Sequence, residues 1–384
     1  MIHNRDMRVA IVADWLTTFG GAEHVLLEMH RVFPGAPIFT TIACTERLGP
    51  LSTADIRTTR LQKLFSVIGR HQPLLPLMPR AVESIDLRGF DVVLSSSHAV
   101  GKGVIPPPGA VHVCYCHTPV RYAWEMEERY LEDFRIPRVL RPRARAMLKR
   151  LRRWDLSTAK RVDRFLANSR ETASRIDRIY GRASSVLPPP VDDRFLASPL
   201  CVAAPRRRFL AVGRLVPYKR FDLLIQASAN LGFPLTIVGK GQEESRLRAM
   251  AARSGADVLF AGFIPDRDLP RIYATARAVF FPQFEDAGIV PLEAQACGAP
   301  VIALRRGGAM DTVVDGRTGI LFPDQTVESI AQAISRFERT MFDPKVVRDH
   351  AQAFGAGRFR KKLQEEVENA AVQRDTVRCA KSEI

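Results

Sequence analysis

Short apolar runs recur along this chain of 384 residues, each followed by a polar or glycine-containing loop and then a stretch of helical character. In the first half Arg8–Ala13, Ile38–Thr41, Val92–Ser95, Val111–Cys116 and 163–167 read as strands. In the second half 208–212, 235–238, 257–260, 278–281 and 300–303 do the same, alternating with helices. Such alternation calls for parallel sheets with right-handed crossovers, so the expected fold class is α/β with two Rossmann-like domains. In open sheets of this kind ligands bind at the C-terminal edges of the strands, so the loops that follow the strands are the places to look for chemistry.

One such loop stands out. Phe284–Ala294 holds two carboxylates, Glu285 and Glu293, eight positions apart, around Gly288 and Pro291. The preceding Ala278–Phe281 is a buried strand by its apolar run, and Pro291 suits a first helical turn, where a missing N–H costs nothing. Glu285 then lies in the loop at a strand end and Glu293 opens the next helix. Residues 286–290 offer backbone N–H groups beside a positive helix end, a cradle for an anion. Two separated carboxylates suit two sets of ligand hydroxyls, as in a sugar nucleotide. The plainer alternative is a strand–loop–helix unit in which Glu293 only favours the helix dipole.

A second strand, Arg208–Val212, runs into Gly213, which puts Arg214 and Lys219 near a strand end in the same half of the chain. Arginine grips phosphate oxygens with a planar fork and lysine adds a point charge. Near the start, strand Arg8–Ala13 leads to Gly20-Gly21 and a helix, so backbone could approach a phosphate there as well, although a glycine pair is short of a full dinucleotide fingerprint.

The pairing of Gly213-Arg214-Leu215 and Lys219 with a Glu-x7-Glu segment resembles the C-terminal half of retaining GT-B glycosyltransferases of family 4. Ala167-Asn168-Ser169, Leu187–Asp192, Val238–Gly241, Ala296–Ala303 and Asp315–Phe322 agree and follow in the family's order over most of the chain. Tyr115–Trp124, with Cys116-His117-Thr118-Pro119 at its centre, resembles a bacterial subgroup of mannosyltransferases that build O-antigen and exopolysaccharide, many of them using GDP-mannose. The resemblance implies two domains facing a deep cleft. It gives an acceptor-side domain over 1–198, a donor domain over 199–350, and a last helix in 351–384 that crosses back to the first domain before a polar tail.

It also implies roles. Arg214 and Lys219 stabilise the leaving diphosphate, assisted by helix-end N–H groups after Gly20-Gly21 or Gly288. Glu285 contacts hydroxyls of the transferred sugar, backbone at Ala287, Gly288 and Ile289 holds that sugar and its phosphate, and Glu293 accepts from the ribose. Lys240 lies near the nucleotide, and the loop with Phe263 and Ile264 lies near its base. His117 binds the donor sugar. Because the cations are side chains, no metal is required, and the donor is a substrate rather than a cofactor. Asp91, His98 and Lys102 flank a further strand end and are secondary candidates for the acceptor or a lipid phosphate. The chain has Asp311 where Glu is usual in the family, which keeps the charge and shortens the reach.

Charge bears on partners. The net charge is +16, and between Arg135 and Arg164 twelve Lys or Arg face two Asp. Arg141–Trp154 reads as a basic helix with interleaved apolar residues, of the kind drawn to anionic lipid headgroups, or else as a solvated face. In 60–80, Leu61, Leu64, Phe65 and Ile68 share a helical face with Arg60, Lys63 and Arg70 around it, which suits either membrane docking or packing on the N-terminal core. No nucleic-acid motif accompanies the charge. No apolar run approaches a membrane span and residues 1–8 are polar, so no leader or span is expected. The expected place is the cytoplasm, peripherally at the inner membrane face, with a lipid-linked glycan as acceptor.

Six cysteines without a CxxC pair, and no His or Cys clustering, give no zinc site. Asp266-Arg267-Asp268 has the metal-binding pattern of another glycosyltransferase architecture, but Asp266 as helix N-cap with Asp268 favouring the dipole explains both residues. The leading expectation is thus a glycosyltransferase. The same chemistry with a UDP-sugar, a sugar-nucleotide epimerase or hydrolase, and a non-catalytic scaffold for anionic lipid are the alternatives.

Overall fold

The computed structural model describes residues 7–125, 137–199 and 207–382; of the segment 196–206, whose proline, alanine and other small residues read as an interdomain linker, the part from 200 on lies outside it. The chain forms two compact units, Met1–Pro188 with Phe359–Ile384, and Pro189–Arg358.

The first unit carries strands β1 (Val9–Ala13), β2 (Ile38–Thr40), β3 (Ile56–Thr58), β4 (Val92–Ser97), β5 (Val111–Cys116), β6 (Arg164–Ala167) and β7 (Ser184–Val186). They form one sheet in the order β3-β2-β1-β4-β5-β6-β7, parallel throughout. The second unit carries β8 (Phe209–Val212), β9 (Leu235–Val238), β10 (Val258–Gly262), β11 (Val279–Phe281), β12 (Val301–Leu304) and β13 (Gly319–Phe322), again parallel, in the order β10-β9-β8-β11-β12-β13. Each sheet grows outward from its first strand and then returns to that strand's other side. The reversal opens a crevice at the C-terminal ends of β1 and β4 in one unit and of β8 and β11 in the other.

The central strands are apolar on successive residues because helices cover both faces. In β1 all five residues are buried, with Ile11 set against Ile38 on one side and Leu94 on the other. Cys114 and Cys116 point to one face of β5 and are buried with Phe165 and Ile176. The last helix, Ala356–Ser382, places Phe359, Leu363, Val367 and Ala370 in the first unit's core. Arg360 with Glu28 at 2.5 Å and Arg374 with Asp163 at 2.6 Å fasten it further.

The division falls at Pro188 rather than at 198. Val191, Phe195 and Leu196 pack beside Tyr273, Leu292 and Ala351 of the second unit, and Val191 bridges to Gly355. The amphipathic segment at 60–80 divides its apolar face. In helix Leu61–Ile68, Phe65 is buried and Leu61 packs beside it, whereas Leu64, Val67 and Ile68 are 41%, 85% and 38% exposed.

Candidate active site

In the second unit the loops after five strands are pressed together by glycines that leave no room for a side chain. A Cβ on Gly239 would stand 1.9 Å from the Gly213 carbonyl oxygen, and one on Gly241 would stand 2.2 Å from that of Leu215. Leu215 donates to Lys240 O at 3.0 Å, and Gly239 donates to Gly262 O at 2.7 Å. The loops after β8, β9 and β10 are thereby set edge to edge. On the other side of the crevice, Gly308 donates to Glu285 O at 2.9 Å, and a Cβ there would lie 2.2 Å from Ala287 O. The segment 285–287 is thus held from behind by the loop after β12.

Lys219 and Glu285 meet across that crevice in an ion pair, with Lys219 buried and Glu285 partly so. Lys219 ends a short turn, Pro217–Lys219, and precedes Arg220, whose φ of 56° makes it the one left-handed non-glycine among the described residues. Backbone strain of this kind persists where surrounding structure fixes it, here beside a buried cation. Arg214, in the same loop, is exposed and its guanidinium forms no ion pair among the described residues. Lys240 is exposed with its chain against Gly262, and the next residue, Phe263, is 67% exposed, while Ile264 is half-buried. Gly288, with φ 66°, caps helix Ile289–Ala296. The N–H groups of Ala287, Gly288 and Ile289 find no acceptor among the described residues.

Glu293 lies in that helix, and its carboxylate accepts from the Tyr273 hydroxyl at 2.8 Å. Burial pushes its pKa up to about 7 against the lowering effects of that hydrogen bond and of nearby Arg194. At neutral pH it therefore stands near half protonation. Tyr273, fully buried and unforeseen from the sequence, is its positioning partner.

Residues 202–352 match the family described as Glycosyl transferases group 1, and residues 19–195 match Glycosyltransferase Family 4. The chain is 31% identical over 337 residues, 80% of its length and 74% of the relative's, to a GDP-mannose-dependent alpha-(1-6)-phosphatidylinositol monomannoside mannosyltransferase of Mycobacterium tuberculosis H37Rv. The chain belongs to glycosyltransferase family 4. A protein of the same description from Mycolicibacterium smegmatis is 38% identical over 192 residues, 43% of this chain and half of that protein's length. Among solved structures, HepE of Anabaena in complex with UDP has a TM-score of 0.69 at 19% identity, covering 94% of this chain and all of that one, which shows the shared GT-B fold.

The first unit of this family 4 chain has its own crevice, at β1 and β4. Asp14, which follows β1, is buried and accepts from the backbone N–H groups of His98, Ala99, Val100 and Gly101 and from Ser97 Oγ. His98 Nδ1 lies 2.8 Å from its carboxylate. Burial alone would raise the Asp14 pKa, but the His98 charge and these hydrogen bonds bring it to about 2. Burial pulls His98 down while Asp14 and Glu23 push it up, for a net rise. His117 follows β5 with Nε2 2.8 Å from Ser96 Oγ and its ring 6.3 Å from that of His98. Burial, then the neighbouring His98 charge, lowers its pKa to about 3, so it is a neutral imidazole at physiological pH.

Several expectations need correction. Gly20 caps helix Gly21–Val32, and its own N–H donates to the Glu23 carboxylate at 2.9 Å, so that one donor is not available to a phosphate. Lys102 is 1% exposed and bonded to Asp155 at 2.7 Å, with Thr158 at 2.9 Å, which removes it from any ligand surface. Asp91 sits before β4, at the end of the strand away from the crevice, and pairs with Arg8 at 3.3 Å. Asp266 is not an N-cap. That position before helix Leu269–Thr275 is Asp268, without a side-chain cap bond, and Asp266 faces Arg194 at 3.4 Å. Among the described residues no group of His, Cys, Asp or Glu is arranged to hold a metal.

Proposed function

We propose that this glycosyltransferase transfers mannose, with retained anomeric configuration, from GDP-mannose to a lipid-linked glycan acceptor. The observation that carries the reading is the ion pair of Lys219 and Glu285 across the β8–β11 crevice, with exposed Arg214 in the same loop. A leaving nucleoside diphosphate needs fixed positive charge where its own negative charge develops, and preorganised groups of this kind contribute several kcal/mol of barrier lowering. Arg214 and Lys219 supply it, so the transfer step requires no metal ion.

In this reading the guanine stacks on Phe263 beside Ile264 and Lys240. Glu293 accepts from the ribose hydroxyls. Glu285 and the amides of Ala287, Gly288 and Ile289 hold the mannosyl group. His117, neutral, donates a hydrogen bond to a sugar hydroxyl rather than a charge. The mannose and guanosine assignments rest on the relatives described as GDP-mannose-dependent. The +16 net charge and the basic helix Arg141–Ala159 favour work at an anionic membrane face, peripherally and from the cytoplasmic side, and no described helix is long and apolar enough to cross a membrane.

The test is calorimetric binding of GDP, UDP, GDP-mannose and UDP-glucose, repeated with EDTA. Binding of GDP and GDP-mannose that survives EDTA and is lost in Arg214→Ala or Lys219→Ala supports the reading. Selective UDP binding would overturn the mannose donor and keep the chemistry. Folded protein that binds no nucleotide would overturn the transferase itself in favour of a lipid-binding scaffold.

A further inference from the structure

The two segments that charge and amphipathicity single out, 60–80 and 135–164, are remote in sequence, yet both line one groove of the first unit. Helix Met78–Glu83 and the turn before it form one wall, and helix Arg141–Ala159 forms the other. The groove encloses about 580 Å³, within the range of small-molecule sites and enough for a headgroup with the start of its chains. Leu75, Leu77, Met147 and Leu151 make an apolar floor, and Leu77 is 45% exposed.

Trp154 completes the floor and is firmly set. Its Nε1 donates to Glu83 at 3.0 Å, and its ring lies so close to Gly103 that a Cβ there would stand 2.3 Å away. Three cations, Arg80, Arg143 and Arg150, stand around the opening. All three are exposed and form no ion pair among the described residues. The one acid in the lining, Glu83, is already committed to Trp154 and, at 2.8 Å, to Arg161. Among the described residues the groove therefore presents uncompensated positive charge around an apolar floor. That combination fits an amphiphile with an anionic head, and neither a plain phosphate nor a neutral hydrocarbon would use both halves of it.

We infer that this groove seats an anionic phospholipid of the membrane surface, its phosphate among Arg80, Arg143 and Arg150 and the start of its chains over Leu77 and Trp154. This deepens the membrane contact of the reading above by giving it an address. The contact is then a built site, where a diffuse basic face would spread the attraction over every cation of helix Arg141–Ala159. Lys149, Arg153 and Lys160 offer an internal comparison, because they are exposed, carry the same total charge and do not line the groove.

The experiment is co-sedimentation of the full chain with vesicles of phosphatidylcholine alone and of phosphatidylcholine mixed equally with phosphatidylglycerol, at physiological salt. The wild type should bind the mixed vesicles and leave the neutral ones. Combined Arg80→Gln, Arg143→Gln and Arg150→Gln should weaken that binding by about a hundredfold, while combined Lys149→Gln, Arg153→Gln and Lys160→Gln should cost no more than about fivefold. Leu77→Asn, which changes no charge, should cost about tenfold. Equal losses in the two triple variants, an unaffected Leu77→Asn, or no binding by the wild type would each overturn the site. GDP binding in solution reports separately on the donor reading: nucleotide binding without vesicle binding sinks only this inference, and the converse sinks only the other.

Discussion

Lys219 and Glu285 join the loops after β8 and β11 just as His98 and Asp14 join the loops after β1 and β4. In both sheets the strands concerned are the two at which the strand order reverses. A charged pair at each reversal fixes the shape of the crevice before any ligand arrives, which reduces the ordering that binding would otherwise require. The two pairs differ in surroundings. Asp14 is buried beneath four backbone amides with His98 partly exposed, whereas in the other pair the cation Lys219 is the buried partner and the carboxylate of Glu285 is partly open.

Replacing Asp14 by Asn should lower the His98 pKa, followed by NMR titration of the imidazole resonances, and should destabilise the first unit by about 1–3 kcal/mol, because an amide NH2 in place of one carboxylate oxygen leaves buried backbone N–H groups without an acceptor. The pH dependence has a definite sign. The His98 pKa is raised on folding, so its contribution is complete below the ordinary histidine value and is lost as pH climbs through the folded value. The Asp14 pKa falls from 3.8 to about 2, so its contribution is present above 3.8 and disappears as pH drops toward 2. The pair therefore stabilises most between these limits. A His98 that titrates unchanged in Asp14→Asn would show that the carboxylate does not set its charge.

Lys219→Ala should reduce kcat by about 10²–10³ if its charge stabilises the leaving diphosphate. It also strands the Glu285 carboxylate, so a lower Tm is expected, and Lys219→Ala combined with Glu285→Gln should recover part of that Tm without recovering kcat. Separate recovery of the two quantities is the informative result. A double variant that regains activity would mean that Lys219 acts only by neutralising Glu285.

The central strands and the loops that follow them were legible because each strand is mostly apolar and buried, as in Val9–Ala13, Phe209–Val212 and Val301–Leu304, and gives way at once to polar, glycine or proline residues. The strands that escaped are edge strands. Ser184-Ser185-Val186 and Ile56-Arg57-Thr58 are short and largely polar, and each lies at an outer margin of its sheet. Gly319–Phe322, at the margin of the other sheet, follows a turn sequence that masks its start. At the site, the position of Glu293 was readable but its partner was not, because Tyr273 approaches from another helix twenty residues away. Asp14 and His98 are separated by 84 positions and meet only through the register of β1 with β4. Lys102 was misread for the same reason: a lysine after a strand end looks available until Asp155 is found beneath it.

Glu293 should make donor binding depend on pH. Burial holds its pKa near 7, so a fraction of the carboxylate is protonated at neutral pH, and a protonated oxygen accepts ribose hydroxyls less well. Nucleotide affinity measured by calorimetry should rise between pH 6 and pH 8 and level off above, a range set by that pKa of about 7. Glu293→Gln should flatten the profile at a lower affinity. Tyr273→Phe removes a hydrogen bond that favours the ionised form and should move the rise to higher pH. A wild-type profile already flat over this range would rule out Glu293 as the ribose acceptor. Stability carries the opposite slope: the raised pKa means that folding is favoured by protonation of Glu293, a contribution complete below 4.5 and lost as pH rises through about 7.

The crowded glycines separate a loop that is merely permitted from one that is required. A Cβ on Gly308 would meet Ala287 O at 2.2 Å, and one on Gly239 would meet Gly213 O at 1.9 Å with φ at 135°. Neither contact involves a flexible side chain, so backbone must shift, and each Gly→Ala change should cost about 1–3 kcal/mol. The functional consequences should differ by place. Gly308→Ala displaces 285–287 and should weaken nucleotide-sugar binding more than binding of the free nucleotide. Gly239→Ala disturbs the loops after β8 and β9 and should weaken both alike. Gly357→Ala makes the comparison fair, because its site on helix Ala356–Ser382 is open and the change should be neutral or stabilising by a few tenths of a kcal/mol. Thermal unfolding gives the first set of numbers and calorimetry with GDP and GDP-mannose the second. Equal losses for the two ligands in Gly308→Ala would remove the 285–289 segment from the sugar.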